Sequence, residues 1–216
     1  MKKKLTVIGS TGLIGKQFLE SIPEGAFEEV VAITRRQIPS LSGKSFIKQA
    51  IHDFSDLNAM LPDLKSDVLV CAMGTTIKTA GSQEAFKRVD HDLPLQVAKM
   101  ALEQGCQSLI LISSVGANSQ STVFYTRIKG LIEEDLGALG FNQYHILRPS
   151  ILLGERQERR AGEFIGKLLA APLSFMIPWK YKPIHARTIA AKLQSLINKN
   201  QPGKYIWEGK TLFRAD

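Results

Sequence analysis

Short apolar runs alternate along the chain with stretches whose apolar residues recur every three or four positions. Continuous apolar runs are typical of strands buried in a parallel sheet, and the longer spacing is typical of helices that cover such a sheet. Predicted strands cover residues 5–8, 30–34, 46–51, 68–72, 109–112, 144–147 and 205–207. Predicted helices cover residues 13–21, 55–60, 82–103, 122–136, 162–172 and 188–197. This alternation predicts an α/β protein with a doubly wound parallel sheet and right-handed crossovers.

The first predicted strand ends in three glycines with the spacing G-x-x-G-x-x-G, at Gly9, Gly12 and Gly15. Gly9 permits a tight turn, Gly12 allows the backbone to approach a pyrophosphate, and Gly15 allows the next helix to pack closely on the strand. The amino terminus of that helix offers free N–H groups to phosphates. The turn therefore indicates a Rossmann-type dinucleotide site, although a tight turn without a ligand also favours glycines.

The composition fits one folded unit. With 216 residues, 44% of them hydrophobic, the chain can bury one substantial core. We expect a single NAD(P)-binding domain over residues 1–216, with residues 154–183 as a small carboxyl-terminal, substrate-binding appendage. No apolar run approaches the roughly 20 residues that cross a bilayer, and residues 1–4 lead into a strand without the features of a signal peptide. We therefore expect a cytoplasmic protein with no membrane span, in which Cys71 and Cys106 are buried free thiols.

The chain carries 28 Lys and Arg against 20 Asp and Glu, which gives a net charge of +8. These basic residues are spread along the sequence, with no long basic run and no interleaved aromatic residues, so the charge argues against a nucleic-acid partner. A solvated surface and a pocket suited to phosphates explain the excess. No cluster of residues has the spacing of a metal site, and we expect no metal.

Two arginines follow the second predicted strand. Dinucleotide sites that select NAD place a carboxylate here, where it binds the ribose 2′-hydroxyl. Arg35 and Arg36 instead match a 2′-phosphate in charge and geometry, and Arg35 is the stronger candidate because it comes first after the strand. The sequence therefore predicts NADP(H) as the cofactor, with two ordinary surface arginines as the alternative.

Residues at the ends of other predicted strands are further candidates for cofactor contacts, because ligands bind outside the carboxyl ends of parallel strands. Asp53 follows the third strand, where its carboxylate can accept from an adenine amino group or cap a helix. A proline after the sixth strand imposes an extended turn beside the expected nicotinamide position. These candidates are Asp53, Phe54, Ala72, Met73, Gly74, Thr75, Arg148, Pro149 and Ser150.

Tyr125 and Lys129 lie four positions apart in a predicted helix, so their side chains project from one face, one turn apart. A free phenol ionises with a pKa of about 10, and a neighbouring ammonium stabilises the phenolate. Tyr125 can then act as acid or base on a carbonyl or alcohol, while Lys129 also holds the cofactor ribose. The fifth strand delivers Ser114, or failing that Ser113, to donate a hydrogen bond to the substrate oxygen. The alternative for this pattern is a surface tyrosine beside a surface lysine.

Several segments together resemble the short-chain dehydrogenase/reductase superfamily in its atypical or extended branch. Within it, the chain is similar to the NADPH-binding oxidoreductases named after the HIV Tat-interacting protein. The last segment below is the most specific to that group, whereas the glycine turn and the Tyr/Lys pair belong to the superfamily. The segments are GSTGLIG at 9–15, ITRR at 33–36, CAMGTT at 71–76, RVD at 88–90, ISSVGA at 112–117, Tyr125 with Lys129, and RPSILLGERQE at 148–158.

The resemblance implies a Rossmann fold that binds NADPH, with Tyr125 as the proton donor, Lys129 beside it and a serine of the 113–114 pair. Asp90 stands where many members of the superfamily have an asparagine, so the resemblance does not extend to a water relay held by that asparagine. The appendage is also short for the large sugar-nucleotide substrates of extended members. Implied cofactor contacts come from Gly9, Ser10, Thr11, Gly12, Leu13, Ile14, Arg35, Arg36 and the loop of Gly74.

We therefore expect an NADP(H)-dependent oxidoreductase that transfers a hydride to or from a small carbonyl or alcohol substrate. The alternative is an NADPH-binding redox sensor or regulatory protein without turnover, and epimerisation with tightly held nicotinamide would use the same residues. A monomer and a homodimer are both compatible with the sequence. Residues 155–160 are a candidate for the substrate mouth, with a solvated charged loop as the alternative. Residues 175–179 are a candidate for an apolar segment that covers the substrate, with plain packing as the alternative, and His185 is expected to be structural.

Overall fold

A computed structural model describes residues 2–154 and 178–214. Seven parallel strands form its main sheet in the order β3-β2-β1-β4-β5-β6-β9, which is the Rossmann order with one further strand at the β6 edge. This order confirms the predicted doubly wound sheet. The strands are β1 Lys4–Ile8, β2 Glu29–Thr34, β3 Ile47–Ile51, β4 Val68–Cys71, β5 Ser108–Ile112, β6 Gln143–Arg148 and β9 Gly203–Glu208.

Two short strands outside the main sheet were not predicted. β7 Leu152–Leu153 and β8 Ile184–His185 pair in parallel as a separate two-stranded sheet. They flank most of the predicted appendage, of which residues 155–177 lie outside the described part of the chain. The predicted helix over 162–172 lies in that range as well.

Helices cover both faces of the sheet because each has one apolar side. α1 and α6 pack on one face, where Phe18 and Leu193 belong to the same buried cluster. α4 and α5 pack on the other face, where Val97 and Ile132 belong to a second buried cluster. The helices are α1 Leu13–Ser21, α2 Ile77–Ala80, α3 Gln83–Lys87, α4 Leu93–Glu103, α5 Phe124–Gly137 and α6 Ala186–Ile197.

Two predicted helices differ from the structure. The single helix over 82–103 is divided into α3 and α4 by a π-helical turn, Arg88–Asp92. Pro94 follows this turn and has no N–H to donate to the carbonyl of Asp90, so regular α-helical bonding is interrupted there. The helix predicted at 55–60 is wrong, since the chain forms a 3₁₀ segment at Asn58–Leu64, which contains Pro62.

The turn after β1 depends on the missing side chain of Gly9. Its φ is +78°, and a Cβ there would lie 2.3 Å from the carbonyl carbon of Ala72, directly after β4. A positive φ costs an L-residue about 1–2 kcal/mol, and forced overlap in a packed site costs about 1–3 kcal/mol more. We therefore expect Gly9→Ala to lower the free energy of unfolding by about 3 kcal/mol in urea titrations.

Gly81→Ala is the matched control, because Gly81 has a φ of +87° and no atom within 4 Å of its added Cβ. This variant should show only the cost of the positive φ, about 1–2 kcal/mol. Equal losses in the two variants would show that contact with the end of β4 does not constrain the turn.

Candidate cofactor and active site

The glycine turn contacts both the sheet and the first helix. Gly12 N donates to the Gly9 carbonyl over 3.0 Å, which closes the turn. An added Cβ at Gly15 would lie 2.4 Å from that same carbonyl oxygen, so α1 packs closely on the turn. An added Cβ at Gly12 would lie 3.1 Å from it, which is also tighter than an ordinary contact. The three glycines therefore form a compact backbone cradle.

The amino terminus of α1 is open to an anion. Gly12 occupies the N-cap position without a side-chain cap, and the first turn of the helix contains no acidic residue. Ser10 is buried and its hydroxyl donates inward to the Val7 carbonyl over 3.0 Å. The first N–H groups of a helix have no partners within it and carry its positive dipole end. The cradle thus fits the pyrophosphate of a dinucleotide.

Arg35 and Arg36 lie beside this cradle because β1 and β2 are neighbours, with Ile8 opposite Ile33. Both arginines are exposed. The Thr34 hydroxyl donates to the Arg36 carbonyl over 2.7 Å and fixes the backbone at the end of β2. Two guanidinium groups are therefore available to an anionic ligand at this edge.

Asp53 and Phe54 follow β3, which lies next to β2 and two strands away from β1. The Asp53 carboxylate accepts from the Ser55 hydroxyl and backbone N–H, at 2.6 and 2.8 Å, and these hydrogen bonds lower its pKa. Asp53 therefore closes a local turn. The helix predicted at 55–60, for which Asp53 was a candidate cap, does not form. Phe54 has a φ of +67°, which is rare for an aromatic residue and marks a constrained backbone.

The loop after β4 joins the cradle to α5. Ala72 and Met73 contact the cradle at Gly9, and the Thr75 N–H donates to Asp90 Oδ2 over 2.8 Å. Asp90 Oδ1 lies 2.7 Å from Lys129 Nζ, and both side chains are buried. An added Cβ at Gly74 would lie within 4 Å of both groups, so this loop covers the ion pair.

Tyr125 lies one helical turn before Lys129 on α5 and is half-buried. Its ring centroid lies 5.7 Å from that of Phe86, a fully buried residue of α3. Phe86 also packs edge-on against Phe124 at the same distance. The aromatic contacts restrict the phenol, while its partial exposure leaves it accessible to a substrate.

A buried carboxylate, Glu133, distinguishes the two candidate serines. The Ser113 hydroxyl donates to Glu133 Oε1, and Arg148 donates from Nε and Nη2 to its two oxygens at 3.0 and 2.5 Å. These hydrogen bonds to Glu133 raise the pKa of Arg148. Ser114 is half-buried, and its nearest acceptor is the Val115 carbonyl at 3.4 Å. Ser113 is therefore engaged within the protein, and Ser114 is the freer donor.

Glu133 and Gly130 were not predicted as site residues from the sequence. Glu133 lies eight residues after Tyr125 and therefore on the same helix face as Tyr125 and Lys129, and this spacing could have identified it. At Gly130 an added Cβ would lie 2.1 Å from the Ser119 nitrogen, so the loop between β5 and α5 rests directly on the helix. This contact holds the part of the loop around Ser119 against α5.

The predicted turn after β6 lies next to the same loop. The Val115 N–H donates to the carbonyl of Pro149, which is buried, over 2.9 Å. The Ser150 hydroxyl donates to the carbonyl of Lys182, shortly before β8. Arg148, Pro149 and Ser150 therefore have contacts within the protein that hold the turn in place.

A cavity of about 310 Å³ lies between α1 and the β7–β8 sheet. Thr11 and Leu13 line it from the cradle, Leu153 from β7, and the exposed residues His185 and Arg187 from the end of β8 and the start of α6. Within the described part of the chain His185, expected to be structural, therefore lines a cavity beside the cradle.

Within residues 2–154 and 178–214, no three His, Cys, Asp or Glu side chains group in a way that could hold a metal ion. No helix in these ranges has the length and apolar character needed to cross a membrane. Cys71 and Cys106 are buried free thiols, as predicted, and burial raises the pKa of each to about 11. The charged residues 155–160 and most of 175–179 lie outside the described residues.

The structure thus brings the cradle, the Gly74 loop, Tyr125 and Lys129 to one edge of the sheet. Comparison with known proteins identifies proteins that are similar to this chain. A family model described as HIM1 matches residues 35–180. The protein FMP52, mitochondrial, of Candida glabrata is 40% identical over 162 residues, which are 74% of this chain and 69% of that protein. The protein HTATIP2 of Rattus norvegicus is 30% identical over 213 residues, which are 97% of this chain and 88% of that protein.

Among solved structures, MoeE5 in complex with UDP-glucose and NAD matches this fold with a TM-score of 0.72. The two share 16% sequence identity, and the match covers 94% of this chain and 74% of that chain. This likeness shows the Rossmann-type fold.

The expected cytoplasmic location is wrong by this comparison, because the Candida glabrata relative and further fungal relatives are named as mitochondrial proteins. The expectation rested on the lack of secretory features in residues 1–4. The lack of such features does not distinguish the cytoplasm from an organelle.

The pair of Glu133 and Arg148 provides a test of how the site is held together. Removing one partner of a buried ion pair costs about 3–5 kcal/mol, and since Arg148 keeps partial exposure we expect Glu133→Gln to lose about 2 kcal/mol of unfolding free energy. Glu134→Gln, on the exposed side of the same helix, should lose less than about 0.5 kcal/mol. The double variant Glu133→Gln/Arg148→Gln should lose less than the sum of its single changes, and strict additivity would contradict the pairing.

Proposed function

This chain belongs to the HIM1 family, and we propose that it is an NADP(H)-dependent oxidoreductase that transfers a hydride to or from a small carbonyl or alcohol. One observation carries the proposal. Tyr125 and Lys129 lie one turn apart, and Lys129 reaches the loop that contacts the glycine cradle. A proton-transfer group and a nucleotide cradle therefore share one edge of the sheet, where ligands of such folds bind.

In this proposal the protein supplies acid–base chemistry and orientation. When bound, the nicotinamide supplies or accepts the hydride. Tyr125 gives its phenol proton to the oxygen of a carbonyl substrate, or takes the proton from an alcohol. Ser114 donates a hydrogen bond to the same oxygen, where negative charge develops. The Lys129 ammonium has three N–H donors, of which one contacts Asp90, so two remain for the cofactor ribose and the phenol.

Several features support a nicotinamide dinucleotide. The α1 amino terminus lacks both a side-chain cap and acidic residues, and MoeE5, which shares the fold, is described in complex with NAD. Arg35 and Arg36 favour the phosphorylated form, NADP(H), because guanidinium groups bind phosphate in paired hydrogen bonds. The cavity beside the cradle supports residues 154–183 as the substrate side of a single domain.

A second candidate is a protein that binds NADPH as a redox sensor without turnover. The observation that favours it is the buried ion pair between Asp90 and Lys129. The Asp90 carboxylate compensates part of the positive charge that would otherwise stabilise the Tyr125 phenolate. The two candidates make the same prediction for nucleotide binding and opposite predictions for turnover.

Tyr125→Phe tests the catalytic proposal. Consumption of NADPH is followed with a panel of aldehydes, ketones and quinones. Because acid–base catalysis contributes about 10²–10⁴-fold, we expect turnover to fall by at least about 100-fold while NADPH affinity stays within about twofold. Tyr205→Phe on the edge strand β9 is the control and should keep full activity. Equal rates in wild type and Tyr125→Phe would remove the phenol from the mechanism, and NADPH binding without turnover on any substrate would favour the sensor.

Arg35→Ala tests the choice of NADP(H). A hydrogen bond to a charged group contributes about 1.5–3 kcal/mol, so loss of the guanidinium should weaken NADPH binding by about tenfold or more. NADH binding should change by less than about twofold, because the two cofactors differ only in the 2′-phosphate. Lys99→Ala, which removes an exposed charge from α4, controls for the general loss of positive charge. An unchanged preference between the cofactors would refute the role of Arg35.

A further inference from the structure

The buried pair of Asp90 and Lys129 lies where the proposed chemistry is most sensitive to charge. Asp90 Oδ1 lies 2.7 Å from Lys129 Nζ, and the two side chains are 0% and 6% exposed. Asp90 Oδ2 accepts from the Thr75 N–H over 2.8 Å. One oxygen of the Asp90 carboxylate thus contacts the loop after β4, and the other contacts the Lys129 ammonium. Asp90 therefore fixes the distance between that loop and the ammonium.

A π-helical turn creates this placement. Asp90 and His91 are consecutive, yet both are buried. Asp90 contacts Lys129, whereas His91 bonds through Nε2 to Asp135 and through Nδ1 to Asp92, both at 2.8 Å. Such π turns are frequent at functional sites. The extra residue in this turn allows neighbouring side chains to reach two different parts of α5.

Among residues 2–154 and 178–214, few titratable groups interact with Lys129. Lys129 interacts with Asp90, with Tyr125 on its own helix and with Cys71 at the end of β4. Burial opposes the charge on Lys129 and is the largest single effect, but the attraction and hydrogen bonding of Asp90, together with Tyr125 and Cys71, outweigh it and raise the pKa of the ammonium. Burial raises the pKa of the Cys71 thiol to about 11, so the thiol is neutral near neutral pH. One turn further along α5, Glu133 is paired with Arg148.

We propose, on the basis of the function inferred above, that Asp90 is a positioning residue that compensates the charge of the Lys129 ammonium beside Tyr125 and so favours the phenol as a proton donor. The paired site is thereby set for carbonyl reduction. A reduced nicotinamide bound in the cradle would supply the hydride and its electron pair to the carbonyl carbon and would itself be oxidised. The carbonyl π electrons move to the oxygen, which takes the Tyr125 proton to give an alcohol, and the phenolate regains a proton from solvent.

An enzyme does not alter the equilibrium between free reactants. Asp90 therefore changes only the pH range over which reduction or oxidation is fast. Alcohol oxidation needs the phenolate as base, and reduction needs the phenol as acid. The carboxylate compensates the ammonium beside the phenol, so this ammonium stabilises a phenolate less than a lone ammonium would. Loss of the carboxylate should therefore move the alcohol-oxidation profile to lower pH.

Asp90→Asn tests the inference, because the amide keeps an acceptor for the Thr75 N–H and removes the negative charge. Charges in close contact shift titrations by about 1–3 units, so the midpoint of the alcohol-oxidation profile should fall by about one pH unit or more. Asp92→Asn is the matched control. Its carboxylate pairs with Lys87 and His91 on the partly exposed side of the same turn, and the profile should not move.

A second measurement does not need turnover. Ultraviolet difference titration follows tyrosinate formation in the unliganded protein, and subtraction of the Tyr125→Phe titration isolates this one phenol. Its midpoint should fall in Asp90→Asn and return toward the wild-type value in Asp90→Asn/Lys129→Met, since no uncompensated ammonium remains there. If Asp90→Asn does not fold, Asp90→Ser removes the same charge and keeps an oxygen acceptor.

The outcomes separate the two proposals. An unchanged tyrosinate midpoint in Asp90→Asn, or a shift that persists without Lys129, overturns the role of Asp90. A shifted midpoint in a protein that turns over no substrate supports the role of Asp90 and contradicts the oxidoreductase function instead. A shift in both the rate profile and the tyrosinate titration supports both.

Discussion

The backbone contact between the turn after β1 and the chain leaving β4 determines the geometry of the whole site. β1 and β4 are paired neighbours, with Ile8 opposite Cys71, so both chains leave the sheet side by side. Only a residue without a Cβ fits between them, and Gly9 occupies that position. Because the contact fixes the loop after β4, it also fixes Asp90 and Lys129, which are bonded to that loop or to each other. The nucleotide cradle and the proposed catalytic helix are thus related through a few backbone atoms.

Helix α5 collects the remaining polar groups on one face. Tyr125, Lys129 and Glu133 follow one another at four-residue intervals, and each meets a partner from a different element. Burial of two charged side chains on a core-facing helix is costly unless each is paired and hydrogen-bonded. Each charge has a partner here, because Lys129 forms an ion pair with Asp90 and Glu133 accepts hydrogen bonds from Arg148 and Ser113. Replacement of such pairs by apolar residues often does not weaken a fold, so their presence beside a cradle is better explained by chemistry than by stability.

The sequence predicted the parts of this molecule that depend on local pattern. Apolar runs marked the seven main strands, and the helix predicted at 13–21 has the bounds Leu13–Ser21. The π-helical turn before Pro94 was not predicted, because its one extra residue is compatible with the apolar spacing from which the helix over 82–103 was predicted. The Tyr125–Lys129 spacing was visible, whereas the partner of Lys129 was not. Which acidic residue lies next to Lys129 depends on how separate elements meet in the fold, and residue spacing within one helix carries no information on that.

The paired strands β7 and β8 have an architectural consequence. They hold Leu152 next to Ile184, so the two ends of residues 153–183 lie side by side. The entropy lost on closing a loop between two such ends grows only with the logarithm of the loop length. An insertion between these anchors can therefore lengthen, shorten or be exchanged in evolution at little energetic cost, while the nucleotide-binding half keeps its register.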